Sequence, residues 1–206
     1  MIISHSHKFI FIHNYKVAGS SVRAALSKFA YLKSTKNLVL STLGIRPKIF
    51  CSDFPDHVKS VDIKKRMPQL FLSYFTFGFV RNPWDWQVSL YHFAKQTPHH
   101  FQHKFISKMN FEEYIDWRIN QDLKFQKDFF SNGQGEIIVN YIGKFENLQN
   151  DFNQISNKIG IPHFSLPKKN SSVRSSYKEY YTSTTKEYIA SAFEPDIKLF
   201  GYSFDS

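Results

Sequence analysis

Apolar residues in this chain come as short continuous runs that hand over to helical periods. Phe9-Ile10-Phe11-Ile12 has the length and composition of a buried strand, and beyond a stretch of small residues Val22, Ala25, Leu26 and Phe29 recur at helical spacing. The change of period repeats later. Tyr74 to Val80 reads as a strand, followed by a helix from Pro83 with Asn82 as N-cap, proline in the first helical position and Asp85 in the first turn, where negative charge is favoured. Ser60 to Met67 fits a short helix stopped by Pro68, preceded by a loop over Phe54 to His57. Phe111 to Ile119 fits another helix, and Glu136 to Tyr141 carries the β-branched run of a strand. Leu148, Phe152, Ile155 and Ile159 mark a helix closed by Gly160 and Pro162. Leu166 to Lys178, rich in Ser and Lys, reads as a long mobile loop, and Thr184 to Phe193 as a last helix ended near Pro195. Strands alternating with helices predict an α/β fold with a central, mostly parallel sheet flanked by helices.

Composition narrows this picture. With 206 residues and 42% hydrophobic content, residues 1–206 are expected to form a single domain, and 22 Phe point to a core of aromatic rings. The net charge of +10 is unevenly spread: Lys8, Lys16, Arg23, Lys28, Lys33, Lys36, Arg46 and Lys48 all precede the first carboxylate, Asp53, and Phe152 to Lys178 contains no acid. Such fields favour nucleotides, acidic polysaccharide, nucleic acid or an anionic membrane surface. A single cysteine, Cys51, excludes an internal disulfide and argues against a cysteine-ligated metal. No run approaches the length of a membrane span and Met1 to Lys8 does not open a secretory signal, so a cytoplasmic protein is expected.

Two segments carry candidate chemistry. Between the first strand and its helix stand Lys16, Val17, Ala18, Gly19, Ser20 and Ser21. A glycine admits close approach of backbone amides to an anion, a helix start offers unpaired N–H groups, and lysine supplies a full charge. The order Lys-x-x-Gly-Ser-Ser differs from the Gly-x-x-x-x-Gly-Lys-Ser/Thr loop of nucleotide triphosphatases, and an ordinary connection with Ser20 capping the helix fits the same residues. The second segment puts Arg81 at the carboxyl end of a strand, where ligands bind in open α/β sheets. The histidine groups His5/His7 and His99/His100/His103 lack the His-Glu-x-x-His spacing, and no metal site is expected.

Tyr15 to Ser21 and Phe79-Val80-Arg81-Asn82-Pro83-Trp84-Asp85-Trp86-Gln87-Val88-Ser89-Leu90-Tyr91 together resemble the sulfotransferases that use 3′-phosphoadenosine 5′-phosphosulfate (PAPS), most closely the carbohydrate sulfotransferase branch. The resemblance implies a three-layer, P-loop-like α/β fold. It assigns Lys16, Val17, Ala18, Gly19, Ser20 and Ser21 to the 5′-phosphosulfate, and Arg81 and Ser89 to the 3′-phosphate. Tyr141 to Leu148 and Asp196 to Tyr202 extend the likeness more weakly. The family's late loop over the nucleotide falls at Lys168 to Lys178, where Lys169, Asn170, Ser172 and Arg174 are donor-binding candidates. Arg174 is the strongest, because guanidinium grips phosphate in a fork. The variable segment Lys95 to Asn110, with His99, His100 and His103, is given no role by the resemblance.

The implied reaction transfers a sulfuryl group from PAPS to a hydroxyl acceptor, a saccharide by the branch resembled, with no metal and no nucleic-acid partner. Positioning and charge stabilisation dominate such transfers, a role for Lys16 and the amides of its loop. A hydroxyl also needs a base. His57 is the first candidate, since Asp56-His57-Val58 resembles the histidine-bearing stretch of heparan 2-O-sulfotransferases; a residue capping the next helix or facing water is the alternative. His13 is the second candidate. Two other functions fit parts of the pattern: a kinase with a modified phosphate loop, and a non-catalytic polyanion-binding module.

Overall fold

The computed structural model describes residues 1–29, 55–167 and 175–206. In chain order the elements are β1 (Ile2–Ser4), β2 (Phe9–Phe11), α1 (Gly19–Leu26), α2 (Ser60–Arg66), α3 (Pro68–Ser73), β3 (Phe75–Val80), α4 (Pro83–Gln96), α5 (His103–Ile106) and α6 (Phe111–Gln121), then β4 (Tyr141–Lys144), α7 (Leu148–Ile159), α8 (Ser183–Ala192) and α9 (Glu194–Phe200). The strands lie in the order β1-β2-β3-β4. β2 runs parallel to β3 with Phe11 opposite Phe77, and β3 runs parallel to β4 with Phe79 opposite Gly143. The expected mostly parallel α/β sheet is therefore present. Its antiparallel edge, β1, pairs Ile2 with Phe11 and is too short to show a readable alternation.

These elements sort into two compact units, Met1–Val80 with Asp128–Ser171, and Arg81–Lys127 with Ser172–Ser206. The first contains the sheet. Phe9, Phe11, Phe77 and Phe79 are fully buried in β2 and β3, with the Phe11 and Phe77 rings 5.5 Å apart. Each such ring contributes about 1.5–3 kcal/mol by leaving water. α1 buries Val22, Ala25 and Leu26, and α7 buries Phe152, Ile155 and Ile159, the stripe read from the sequence. α7 ends where Gly160 turns left-handed at φ 67°. At its other end Asp151 accepts the Lys144 N–H at 2.6 Å and the Asn147 amide at 2.9 Å, which ties β4 to the helix.

The second unit is helical. Trp86, Tyr114 and Phe193 fill its core, and Trp84 donates its indole N–H to the Lys186 carbonyl at 3.0 Å. Asp196 in α9 is fully buried and accepts the backbone N–H groups of Gln126 (2.7 Å) and Lys127 (3.0 Å).

Two expectations need correction, and a third falls largely outside the described residues. The strand expected over Glu136 to Tyr141 starts at Tyr141: Asn140 takes the Thr76 N–H and hydroxyl on its side chain, and Ile137 makes only an isolated bridge to Ser131. Pro68 ends α2 but also opens α3, and Pro195 sits in the first turn of α9, so α8 is not the last helix. A first turn has no partner for the N–H that proline lacks, so the residue suits starts as well as stops. Residues 168–174 of the expected mobile loop lie outside the described residues, and Tyr177–Tyr180 forms a 3₁₀ turn. Among the described residues, no helix is long and apolar enough to cross a membrane.

Gly78 in β3 gives a direct test of this packing. A Cβ there would lie 2.7 Å from Cζ of Phe130 and 2.9 Å from the Ile12 carbonyl oxygen. Gly78→Ala is expected to cost about 1–3 kcal/mol of stability in urea unfolding, the range for overpacking a core.

Candidate functional site

The first unit builds a loop between β2 and α1. Ile12 continues the pairing beyond β2 by donating its N–H to the Phe77 carbonyl at 2.8 Å. The chain then turns through Lys16 and Ala18, both left-handed, at φ 56° and 60°. Each costs on the order of 1–2 kcal/mol for a residue with a Cβ, and such conformations gather at functional sites. Ala18 is the N-cap of α1, and its carbonyl accepts the N–H groups of Ser21 and Val22. Ser20 therefore lies inside the first turn and is not the cap, which removes the simple capping alternative. Alanine offers no side-chain acceptor and the first turn holds no acid, so the positive end of α1 is complemented by neither. An oxyanion fits that arrangement, with Lys16 beside it.

Gly19 answers to a second demand. A Cβ on it would overlap Nε2 and Cδ2 of His13, whose ring packs close against Gly19. His13 is only 7% exposed, and among the described residues its Nδ1 has no hydrogen-bond partner. Burial, helped by the neighbouring His57, lowers its pKa from 6.5 to about 2. So weak a base is poorly matched to taking a proton near neutral pH.

His57 is arranged differently. Its Nδ1 lies 2.9 Å from the His13 carbonyl oxygen. A carbonyl only accepts, so the proton sits on Nδ1 and the lone pair on Nε2. The ring packs on Tyr15 at 3.9 Å and on His13 at 4.5 Å between centroids. Burial is the largest influence on its pKa and lowers it, which keeps the imidazole neutral at pH 7. The next helix, α2, is capped by Lys59, so His57 is not its cap. Other histidines serve the framework: Nδ1 of His7 donates to the Ile159 carbonyl, and that of His103 to the Ala94 carbonyl. Among the described residues no group of three or more His, Cys, Asp or Glu could hold a metal ion.

In the second unit the helix start follows the sequence reading, with Asn82 accepting the Trp84 N–H at 3.0 Å and Pro83 first in α4. Arg81 is more firmly held than its motif reveals. Its Nε donates to Asp85 Oδ2 at 2.7 Å, and its backbone N–H and carbonyl are both bonded by the Gln126 side chain, at 2.9 and 2.7 Å. Asp196 in turn fixes Gln126 through its N–H. Ser89, buried, lies one turn beyond Asp85 on the same face of α4. Asp85 was legible only as a first-turn acid, although the four-residue step from Arg81 could have signalled the pair. Gln126 and Asp196 carry no local signal. Lys169, Asn170, Ser172 and Arg174 lie outside the described residues.

The buried His13 makes stability depend on pH. Below pH 6.5 the unfolded chain binds a proton there that the folded chain refuses until about pH 2, so stability falls as pH falls through this window. The slope is about 1.4 kcal/mol per pH unit for one proton. His13→Asn is expected to flatten the pH dependence of unfolding free energy by about one proton over that range, whatever its effect on absolute stability.

A model described as the sulfotransferase family matches residues 1–203. An uncharacterized protein of Archaeoglobus fulgidus is 33% identical over 96 residues, which cover 46% of this chain and 74% of that protein. No solved structure matches the chain. The family match spans the Lys16 loop, His57 and the Arg81 helix start, and it separates this chain from the kinase and polyanion-module alternatives: the protein belongs to the sulfotransferase family.

Proposed function

We propose that this sulfotransferase uses PAPS as its donor and a hydroxyl of a saccharide as its acceptor, with His57 as the base. The observation that carries this reading is the Nδ1 hydrogen bond of His57 to the His13 carbonyl, which leaves Nε2 able to accept a proton in a ring stacked on the residue before Lys16. The donor brings an activated sulfuryl group and a leaving phosphate. Lys16 and the amides at the start of α1, through Val17, Ala18, Gly19, Ser20 and Ser21, hold the 5′-phosphosulfate and stabilise charge on the oxygen that leaves. Arg81, oriented by Asp85, and Ser89 hold the 3′-phosphate, joined by Arg174.

His57 takes the proton of the acceptor hydroxyl on Nε2 while the acceptor oxygen bonds to sulfur and the sulfur–oxygen bond to the 5′-phosphate breaks. The products are a sulfate ester, adenosine 3′,5′-bisphosphate and a proton. In this reading residues 1–206 serve one activity as a single domain, in the cytoplasm, as the lone Cys51 favours. The saccharide acceptor rests on likeness to the carbohydrate branch and on the basic charge of the chain.

Transfer of labelled sulfate from PAPS to a panel of hydroxyl acceptors tests this. Lys16→Ala is expected to lower turnover by about 10²-fold or more. Arg81→Ala should weaken binding of adenosine 3′,5′-bisphosphate about 10-fold to 100-fold in calorimetry, the scale of a charged hydrogen bond, and Asp85→Asn should act in the same direction less strongly. Failure to bind that nucleotide, or an unchanged Arg81→Ala, would overturn the donor assignment.

The base has its own signature. Because the folded pKa of His57 is depressed below 6.5, the acid limb of kcat/KM should lie below pH 6.5, with activity lost as Nε2 becomes protonated. His57→Ala should abolish that limb and lower kcat by about 10²-fold to 10⁴-fold. A variant that retains both rate and acid limb would transfer the role to another group.

A further inference from the structure

The segment from Lys95 to Asn110, to which the motif resemblance assigns no role, connects α4 to α6, and it combines exposed rings with one sign of charge. From Trp86 to Phe111 there is no carboxylate, while Lys95, Lys104 and Lys108 and four histidines fall within it. Phe101 is 79% exposed, Phe93 40% and Phe105 37%. These rings are not on a loosely held loop. The His100 N–H bonds to Thr97 O and the His103 N–H to His100 O, both at 2.9 Å, His103 Nδ1 donates to Ala94 O at 3.0 Å, and Ile106 is fully buried beneath. His100 lies between two phenylalanines, 5.3 Å from Phe93 and 4.7 Å from Phe101. A braced turn thus presents phenyl rings to water, with Lys104 and Lys108 exposed close by in sequence.

Two of the carboxylates beyond this segment, Asp122 and Glu113, are engaged by neighbours. Asp122, which accepts from Gln102 at 3.1 Å, is paired with Arg118 and Lys124. Glu113 is held in the capping box of α6 with Asn110, and Glu112 stands in the same first turn. Within the segment itself every formal charge is positive.

We propose that this turn docks the protein on an anionic phospholipid bilayer, with Phe101 and its neighbouring rings entering the interface and Lys104 and Lys108 meeting the headgroups. Phenylalanine favours lipid over a polar partner, because it gains by leaving water and has no hydrogen-bonding atom to address a hydroxyl or a base edge. The exposed lysines supply the attraction to negative lipid, which falls off within a Debye length and is screened by salt. Two signals, rings and charge, hold a peripheral protein on a bilayer more firmly than either alone.

Sedimentation of the full chain with vesicles tests the proposal. The protein is expected to pellet with mixed phosphatidylserine and phosphatidylcholine vesicles, to stay in solution with phosphatidylcholine alone, and to be released by raised salt. Phe101→Ser and the double change Lys104→Glu with Lys108→Glu should each lower the partition about tenfold or more, with circular dichroism and sulfuryl transfer in solution unchanged. No pelleting with the acidic vesicles, or variants that pellet like the parent, would overturn it. So would retention on an acidic polysaccharide that the same substitutions abolish while vesicles are ignored, which would make the patch a glycan surface.

Discussion

Parallel pairing of β2 with β3 is the constraint from which the first unit follows. Parallel strands cannot be joined by a tight hairpin, so the chain must leave β2, cross over and return before β3 can pair. Leaving β2 through a short loop into α1 forces two non-glycine residues, Lys16 and Ala18, into left-handed backbone. The same geometry turns the first amides of α1 toward the loop. A loop of this form is thus what a parallel strand and its following helix produce when the helix start lacks a side-chain cap. The buried Phe9, Phe11, Phe77 and Phe79 give the sheet the stability that tolerates this strain.

The two units handle charge in opposite ways. Near the Lys16 loop the buried groups are neutral imidazoles, and the single proton on His57 is fixed by a carbonyl. In the helical unit two arginines are largely withdrawn from water against carboxylates, Arg81 with Asp85 and Arg118 with Asp122. Burying such a pair gains little net stability, and its value lies in orientation: a guanidinium gripped at Nε by a carboxylate has one direction in which to point. A neutral histidine suits a group that must change protonation, and a locked arginine suits one that must not.

Legibility in the sequence followed distance along the chain. The Asn82-Pro83 start of α4 and the apolar stripe of α7 with Gly160 were readable because their causes lie within a turn or two. β1 escaped notice because three residues make no pattern, and the strand at Tyr141 was displaced because Asn140 bonds to Thr76, 64 residues away. Gln126 and Asp196 support Arg81 across 45 and more residues, and nothing local marks them. His57 could be singled out by resemblance alone; which of its nitrogens carries the proton depends on the His13 carbonyl, 44 residues earlier.

That carbonyl belongs to the residue whose ring fills the space a side chain at Gly19 would need. Positions 13 and 19 consequently share one volume: a larger residue at 19 fits only alongside a smaller one at 13. A lineage that changed Gly19 first would push the imidazole aside and shift the backbone that tells His57 which nitrogen to protonate. The loss would look chemical although no reacting group had been replaced, and reversion would be open through either residue.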